Sequence, residues 1–274
     1  MDYKYHCYIP AERGRNELPF NPCSVLDFSL LTLAPGQSYS GSTGDREVLA
    51  VILGGKATFE VAGARFENVG GRPNVFSGKP HSVYLPAGSD FTVTGVTAVE
   101  IALPSAPSDL VTEPYVIAPD RVAAGRWGAS NFGRTYHQIL TEVSQPDLPA
   151  SGLIVGETFT PPGNWSTFPP HRHAHDDLPA EAQHEEMYYF RVNPGDGWGI
   201  CRMYTDEGYE ENFTVRNHGM HMMPSGYHTV VSAPGYTTYY LWFLAGVGRT
   251  QGAVEDADLA WVGRTVPMLR ELGH

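Results

Sequence analysis

The sequence predicts an all-β protein built as two antiparallel β-barrels in one chain. Three observations predict it. Strand-like runs recur at short intervals along 274 residues, 30 glycines and 22 prolines punctuate them, and the second half repeats the motif order of the first. In the first half the runs are SVLDFSLLTL, with its core at 25–32, then EVLAVILGG (47–55), ATFEVAG (57–63), SVYLP (82–86), DFTVTG (90–95) and TAVEIALP (97–104). Each is short, rich in β-branched or aromatic residues, and bounded by PG, GG, AG or GS, the residues that tight turns require. After Pro104 a less periodic stretch rich in Pro, Ala and Gly reads as the connection. The second set runs through LIVGETFT, EEMYYFRV, GWGICRMY, ENFTVR, GMHMMP, YHTVVSAPG and TTYYLWFLA. In the tail, Leu259, Val262, Val266, Leu269 and Leu272 fall at roughly helical spacing and predict a short helix.

Composition narrows the function classes. Eighteen Lys and Arg against thirty Asp and Glu leave a net charge of −12, which disfavours binding to nucleic acid or to an anionic membrane surface. An anionic ligand must then be held by locally placed cations or by a metal. Cys7, Cys23 and Cys201 form no CxxC pair and are an odd number in a chain large enough to bury a core without staples. With a polar N-terminal stretch and no long apolar run, the expectation is a soluble cytoplasmic protein.

The internal repeat organises the chain. LAPGQSYSGSTGDREVLAVILGG parallels FTPPGNWSTFPPHRH…EEMYYFRV, and VYLPAGSDFTVTGVTAVEIAL parallels MHMMPSGYHTVVSAPGYTTYYLWFLA. A duplicated small antiparallel jelly roll is a bicupin, and the expected division is a barrel over 1–112 and a second over 113–274, the latter with the linker and tail.

Only the second half carries a ligand set. His171 and His173 lie two apart on extended chain, so both imidazoles point to one face. Glu186 opens the next strand, and His228 follows the turn glycine of PSGYH at the start of a strand that a jelly roll returns beside the first. Three neutral imidazoles and a carboxylate suit one divalent ion, Zn²⁺ or Mn²⁺ first, with Fe²⁺ or Ni²⁺ compatible. HxH alone is a weak signal among eleven histidines; its order with the strand-opening Glu and PxGxH is much stronger. In the first half Glu47 aligns with Glu186 and Asp90 with His228, while SYSGSTGD supplies no imidazole. Glu47 and Asp90 therefore read as structural carboxylates, and His81 as a turn residue.

The motifs PPHRHAHDDLPAEAQHEEMYYFRVNPGDGWGICRMYTDEG and MPSGYHTVVSAPGYTTYYLWFLAG resemble those of the 5-deoxy-glucuronate isomerase family of myo-inositol catabolism, cupin relatives of the hexuronate ketol-isomerases. The likeness spans essentially the whole chain, and the family's metal pattern falls on His171, His173, Glu186 and His228. It implies isomerisation of 5-deoxy-D-glucuronate to 2-deoxy-5-keto-D-gluconate, with a small sugar acid as the partner.

Such chemistry needs a proton moved between adjacent carbons and a stabilised enediolate, for which a metal and a nearby base suffice. Strand parity puts His184 and Tyr188 on the face of Glu186, so these three are the catalytic candidates, while Glu185 and Tyr189 face away. For the substrate carboxylate Arg202 in GICRMY is the first choice; Arg172 points away from its neighbours, Arg191 has outward parity, and Arg134 enters only from the linker side. Tyr240 is a candidate substrate contact within the run 239–243, which otherwise reads as core. The polar insert 174–185 is longer than the ligand spacing needs and is expected as a loop over the barrel mouth, as a lid or an oligomer contact. The same ligand shell also admits an Fe²⁺ dioxygenase, and a non-enzymatic sugar-acid-binding bicupin is the third reading. Strand edges that need cover favour a homo-oligomer.

Overall fold

The computed structural model describes residues 3–274. Four antiparallel sheets of seven, six, five and four strands account for the strand runs, so the all-β expectation holds. The closed-barrel form of that expectation is not found: each sheet is open, and the sheets face one another in pairs. The six- and four-stranded sheets enclose one core, in which Leu31, Ile52, Val83 and Ile101 meet Phe59, Val61 and Val93. The seven- and five-stranded sheets enclose another, where Tyr188, Phe190, Tyr240 and Trp242 meet Cys201, Met203, Phe213 and Val230.

The two large sheets then pack back to back. Phe28, Leu30, Leu49 and Val51 of the first half join Met187, Tyr189, Leu241 and Phe243 of the second in a third core. Phe28 stacks on both Tyr189 and Phe243, with ring centroids 5.4 Å apart in each case. This explains why the central strands read as nearly continuous apolar runs. In Arg46–Gly54, Ala50 and Ile52 serve the inner core and Leu49, Val51 and Leu53 the shared one, so both faces are buried. The run 239–243 splits the same way, with Tyr239, Leu241 and Phe243 in the shared core and Tyr240 and Trp242 in the second half's own.

Polar ties cross the same join. Arg72 of the first half donates from both terminal nitrogens to Glu157 of the second at 2.9 and 3.1 Å, and Tyr239 adds its hydroxyl at 3.0 Å. Burial alone would push the Glu157 carboxyl up; Arg72 beside it, with His137, holds it below its ordinary range. Glu185, outward-facing as its parity required, accepts hydrogen bonds from the backbone of Ser24, Val25 and Leu26. Glu47, fully buried, accepts from Tyr84 Oη and from the backbone N–H of Ser151, Gly152 and Leu153 at 2.6–2.8 Å. The position that aligns with a metal ligand thus anchors the start of the second half.

The halves also trade strands. His6–Tyr8 pairs with Gly219–Met223 at the edge of the second half's large sheet, and Tyr115–Ile117 pairs with Ser82–Leu85 of the first. The tail forms a short strand Val254–Glu255 and two short helices, Ala260–Gly263 and Val266–Glu271. No helix among the described residues is long and apolar enough to cross a membrane.

Candidate metal centre

Two facing sheets bring the four predicted ligands together. His171 lies on Trp165–Arg172, which pairs with Tyr227–Ser232 so that His171 and His228 are register partners with ring centroids 4.7 Å apart. Gly226 makes the turn that delivers His228: its φ is +101°, and a Cβ there would sit 2.8 Å from the Tyr204 carbonyl oxygen, so only glycine fits. Glu186 comes from the opposite sheet on His184–Asn193, and His173 lies just past the end of its strand. One donor atom from each of the four lies within 4.8 Å of every other. An ion with bonds of ~2.1 Å needs adjacent donors about 3 Å apart and opposed ones about 4.2 Å, which the cluster meets with little adjustment.

The surroundings prepare these side chains as ligands. His173 Nδ1 donates to the carbonyl of His184 at 2.7 Å, which turns Nε2 toward Glu186 Oε2 at 2.9 Å. Burial favours the neutral His173 ring, but the hydrogen bond and charge of Glu186 outweigh it and hold the pKa above its ordinary value. His171 is pushed well below its ordinary value by burial and by His228, so its ring is neutral with a lone pair to offer. Glu186 is held well below the usual carboxylate range: burial opposes ionisation, and the hydrogen bond from His173 with the charges of His228 and His173 overrides it. His228 Nε2 lies 3.0 Å from Glu186 Oε2 but outside hydrogen-bond geometry, and neither of its buried ring nitrogens has another partner among the described residues. Orphaned imidazole nitrogens beside an ionised carboxylate are what a cation would satisfy. No comparable cluster occurs in the first half among the described residues.

His171, His173 and Glu186 line a cavity of about 540 Å³, within the range of small-molecule sites, with His228 fully buried beside His171. His184 and Tyr188 line it too, as strand parity required, and so does Tyr240. Burial, and then the charge of Glu186, push the Tyr188 phenol well above its ordinary range, so it is protonated. Tyr240 Oη is hydrogen-bonded to Ser166. His184 serves partly through its backbone, whose carbonyl orients His173, while its Nε2 meets the carbonyl oxygen of Gly248 at 3.2 Å.

Two expectations change. Arg202 does not line the cavity: Cys201 and Met203 of Gly199–Tyr204 fill the core, so Arg202 has the opposite parity and pairs with Glu210 at 2.8 Å. The guanidinium in the wall is that of Arg134. The insert 174–185 is not the cover either, since of its residues only His184 lines the cavity. It folds on itself through Glu181, which accepts from the backbone of Ala174 and His175, and it braces the next loop through Ala182 N to Gly252 O at 3.1 Å. The cover comes from the C-terminal segment, in which Gln251, Gly252, Ala253, Glu255, Gly263 and Val266 face the cavity. Glu255 is the register partner of His171, and Arg270 ties the last helix to the carbonyls of Arg126 and Gly128. The helical spacing of the tail foretold its helices but carried no sign of where they dock.

A profile described as the KduI/IolB family matches residues 16–262. The chain is 41% identical over 261 residues to the 5-deoxy-glucuronate isomerase of Geobacillus kaustophilus (strain HTA426), covering 93% of each. It is 36% identical over 241 residues to the 5-deoxy-glucuronate isomerase of Bacillus subtilis (strain 168), covering 87% of this chain and 88% of the relative. Among crystal structures, an IolB-like protein of Salmonella typhimurium LT2 superposes with a TM-score of 0.88 at 30% identity, over 95% of this chain and 99% of the other. An oxalate decarboxylase of Bacillus subtilis superposes with a TM-score of 0.64 at 12% identity, over 93% of this chain and 80% of the other, a likeness of fold alone.

Proposed function

The chain belongs to the KduI/IolB family, and from that premise we propose that it is a 5-deoxy-glucuronate isomerase of bicupin fold that depends on one divalent metal ion. It interconverts the aldose 5-deoxy-D-glucuronate and the ketose 2-deoxy-5-keto-D-gluconate. The observation that carries the metal-dependent reading is the His171, His173, Glu186, His228 cluster, three of whose members line a cavity of sugar-acid size.

The reaction is redox-neutral overall. C2 loses a proton and C1 gains one, while the aldehyde oxygen becomes a hydroxyl and the C2 hydroxyl becomes a carbonyl. A divalent ion, Zn²⁺ or Mn²⁺ on this donor set, supplies Lewis acidity toward the two vicinal oxygens when bound. The chain's own groups divide the remaining work. Glu186 directs Oε2 to His173 and His228 and leaves Oε1 without a hydrogen bond among the described residues, available to take a proton. Tyr188 presents a protonated phenol with no hydrogen bond among the described residues, suited to giving a proton to a substrate oxygen. His184 holds His173 in place, and the C-terminal segment keeps bulk water from the enediolate.

The test is metal analysis of purified protein followed by NMR-monitored conversion of 5-deoxy-D-glucuronate in D₂O, with and without chelation. One ion per chain, ketose formation and loss of turnover on chelation are expected. A metal-replete protein that leaves the sugar unchanged would overturn the isomerase reading, and turnover that requires O₂ would replace it with an oxygenase.

A further inference from the structure

We propose that Arg134 binds the substrate carboxylate, with the indole N–H of Trp242 as a second donor on the same wall. The proposal rests on the isomerase reading for the identity of the substrate and on the geometry of the wall for the residue. Arg134 opens the strand Arg134–Leu140 opposite Trp127, and its guanidinium carbon lies 5.6 Å from the Trp127 ring centroid. Tyr136, two residues on, stacks on the same indole at 3.9 Å. Gly128 keeps the approach open: its φ is +69°, and a Cβ there would stand 3.1 Å from Arg134 Nη1 and 2.1 Å from the Phe132 carbonyl oxygen.

The decisive feature is the lack of a counter-charge. Arg134 makes no ion pair or hydrogen bond with any described residue, and its buried Nε has no partner. Glu255 across the cavity attracts it electrostatically but lies beyond ion-pair distance. The rival guanidinia are already engaged: Arg172 by Glu181 and Asp206, Arg191 by Glu100, and Arg202 by Glu210. An arginine cannot shed its proton, so a partly buried guanidinium without an anion weakens the fold and persists for a ligand that brings one. Trp242 Nε1 is likewise buried without a partner, and its ring lies 6.3 Å from Trp127. A planar carboxylate fits the fork of a guanidinium, and one sugar acid can reach both this wall and His171, His173 and Glu186 because they line one cavity.

The experiment compares wild type, Arg134→Met and Arg134→Lys on 5-deoxy-D-glucuronate and on 5-deoxy-D-glucose, which carries a hydroxymethyl group in place of the carboxylate. Arg134→Met is expected to lower kcat/KM for the acid by about 30- to 1000-fold, the equivalent of ~2–4 kcal/mol, as for loss of one partner of an enclosed charge pair. Its kcat/KM for the neutral sugar should stay within about threefold of wild type, and Arg134→Lys should recover part of the loss. Metal content should not change, because Arg134 is none of the four ligands. Equal losses on both sugars, or undiminished turnover of the acid, would overturn the assignment. If wild type converts neither sugar, the isomerase reading fails separately. Calorimetric titration with D-glucuronate then decides the arginine: binding at least about tenfold tighter by wild type than by Arg134→Met upholds it, and equal binding refutes it.

Discussion

Replacing Arg72 with Met probes the join between the halves most directly. The side chains of Arg72 and Glu157 are 3% and 0% exposed, which puts the pair in the buried class. Loss of one partner there costs about 3–5 kcal/mol, against ~0–1 for a surface pair. Tyr239 Oη at 3.0 Å and His137 Nδ1 at 2.7 Å stay beside the stranded carboxylate, which favours the lower end, about 3 kcal/mol. Two further acceptors, the carbonyls of Ile52 and Gly78, also lose their donor. Urea unfolding followed by tryptophan fluorescence should show the midpoint falling by about 1 M for a slope of ~3 kcal/mol/M. The sign of the pH dependence is specific. In wild type the depressed Glu157 carboxyl contributes stability that is present above its ordinary value of 4.5 and lost as pH falls through the lower folded value. Without Arg72, burial raises that carboxyl, so the variant's deficit should be largest at neutral pH and should narrow below pH ~4.5. The double variant Arg72→Met/Glu157→Met should recover to within ~1.5 kcal/mol of wild type, because neither charge is then stranded. An unchanged midpoint in Arg72→Met, or a double variant worse than the single one, would refute the reasoning.

Three more outcomes are expected. His171→Ala and His228→Ala should each lose the metal and the activity, by elemental analysis and the D₂O assay, while near-native circular dichroism shows that the cores persist. Glu47→Gln should change turnover less than about tenfold yet lower stability by ~1–3 kcal/mol in urea, since its buried carboxylate accepts three backbone N–H groups that an amide satisfies less well. Truncation after Gln251 should retain the metal but lower kcat/KM by roughly one to two orders of magnitude, measured beside metal content, because the segment that covers the cavity is gone.

The cluster of His171, His173, Glu186 and His228 was legible because each residue stands in a local context that a strand or turn dictates: HxH on extended chain, Glu186 at a strand start, His228 after a turn glycine. Period-two parity extended this correctly to His184 and Tyr188 on one face and Glu185 on the other. The same rule, applied to GICRMY, would have removed Arg202, since Cys201 and Met203 claim the core face; the attraction of a cation in the right half outweighed it. Arg134 was passed over because it opens a strand straight after the linker, where periodicity is too short to assign a face. The docking of the C-terminal segment was hidden for another reason. Arg270 reaches backbone carbonyls and Val254–Glu255 pairs with a neighbouring strand, and main-chain acceptors are alike whatever residue bears them.

The pairing of His6–Tyr8 with Gly219–Met223 has a consequence for how the protein is made. His6 and His221 are register partners 215 positions apart, so the His6–Tyr8 strand leaves the ribosome and then waits for the strand it pairs with. At ~5–20 residues per second that wait is roughly 10–40 s, during which the strand has no native neighbour. The second half's large sheet, which carries Glu186, therefore gains its outermost strand only once most of the chain has been translated. An N-terminal tag or fusion partner sits on that late-docking strand, so it burdens the sheet that carries Glu186, although in sequence it is attached to the opposite half.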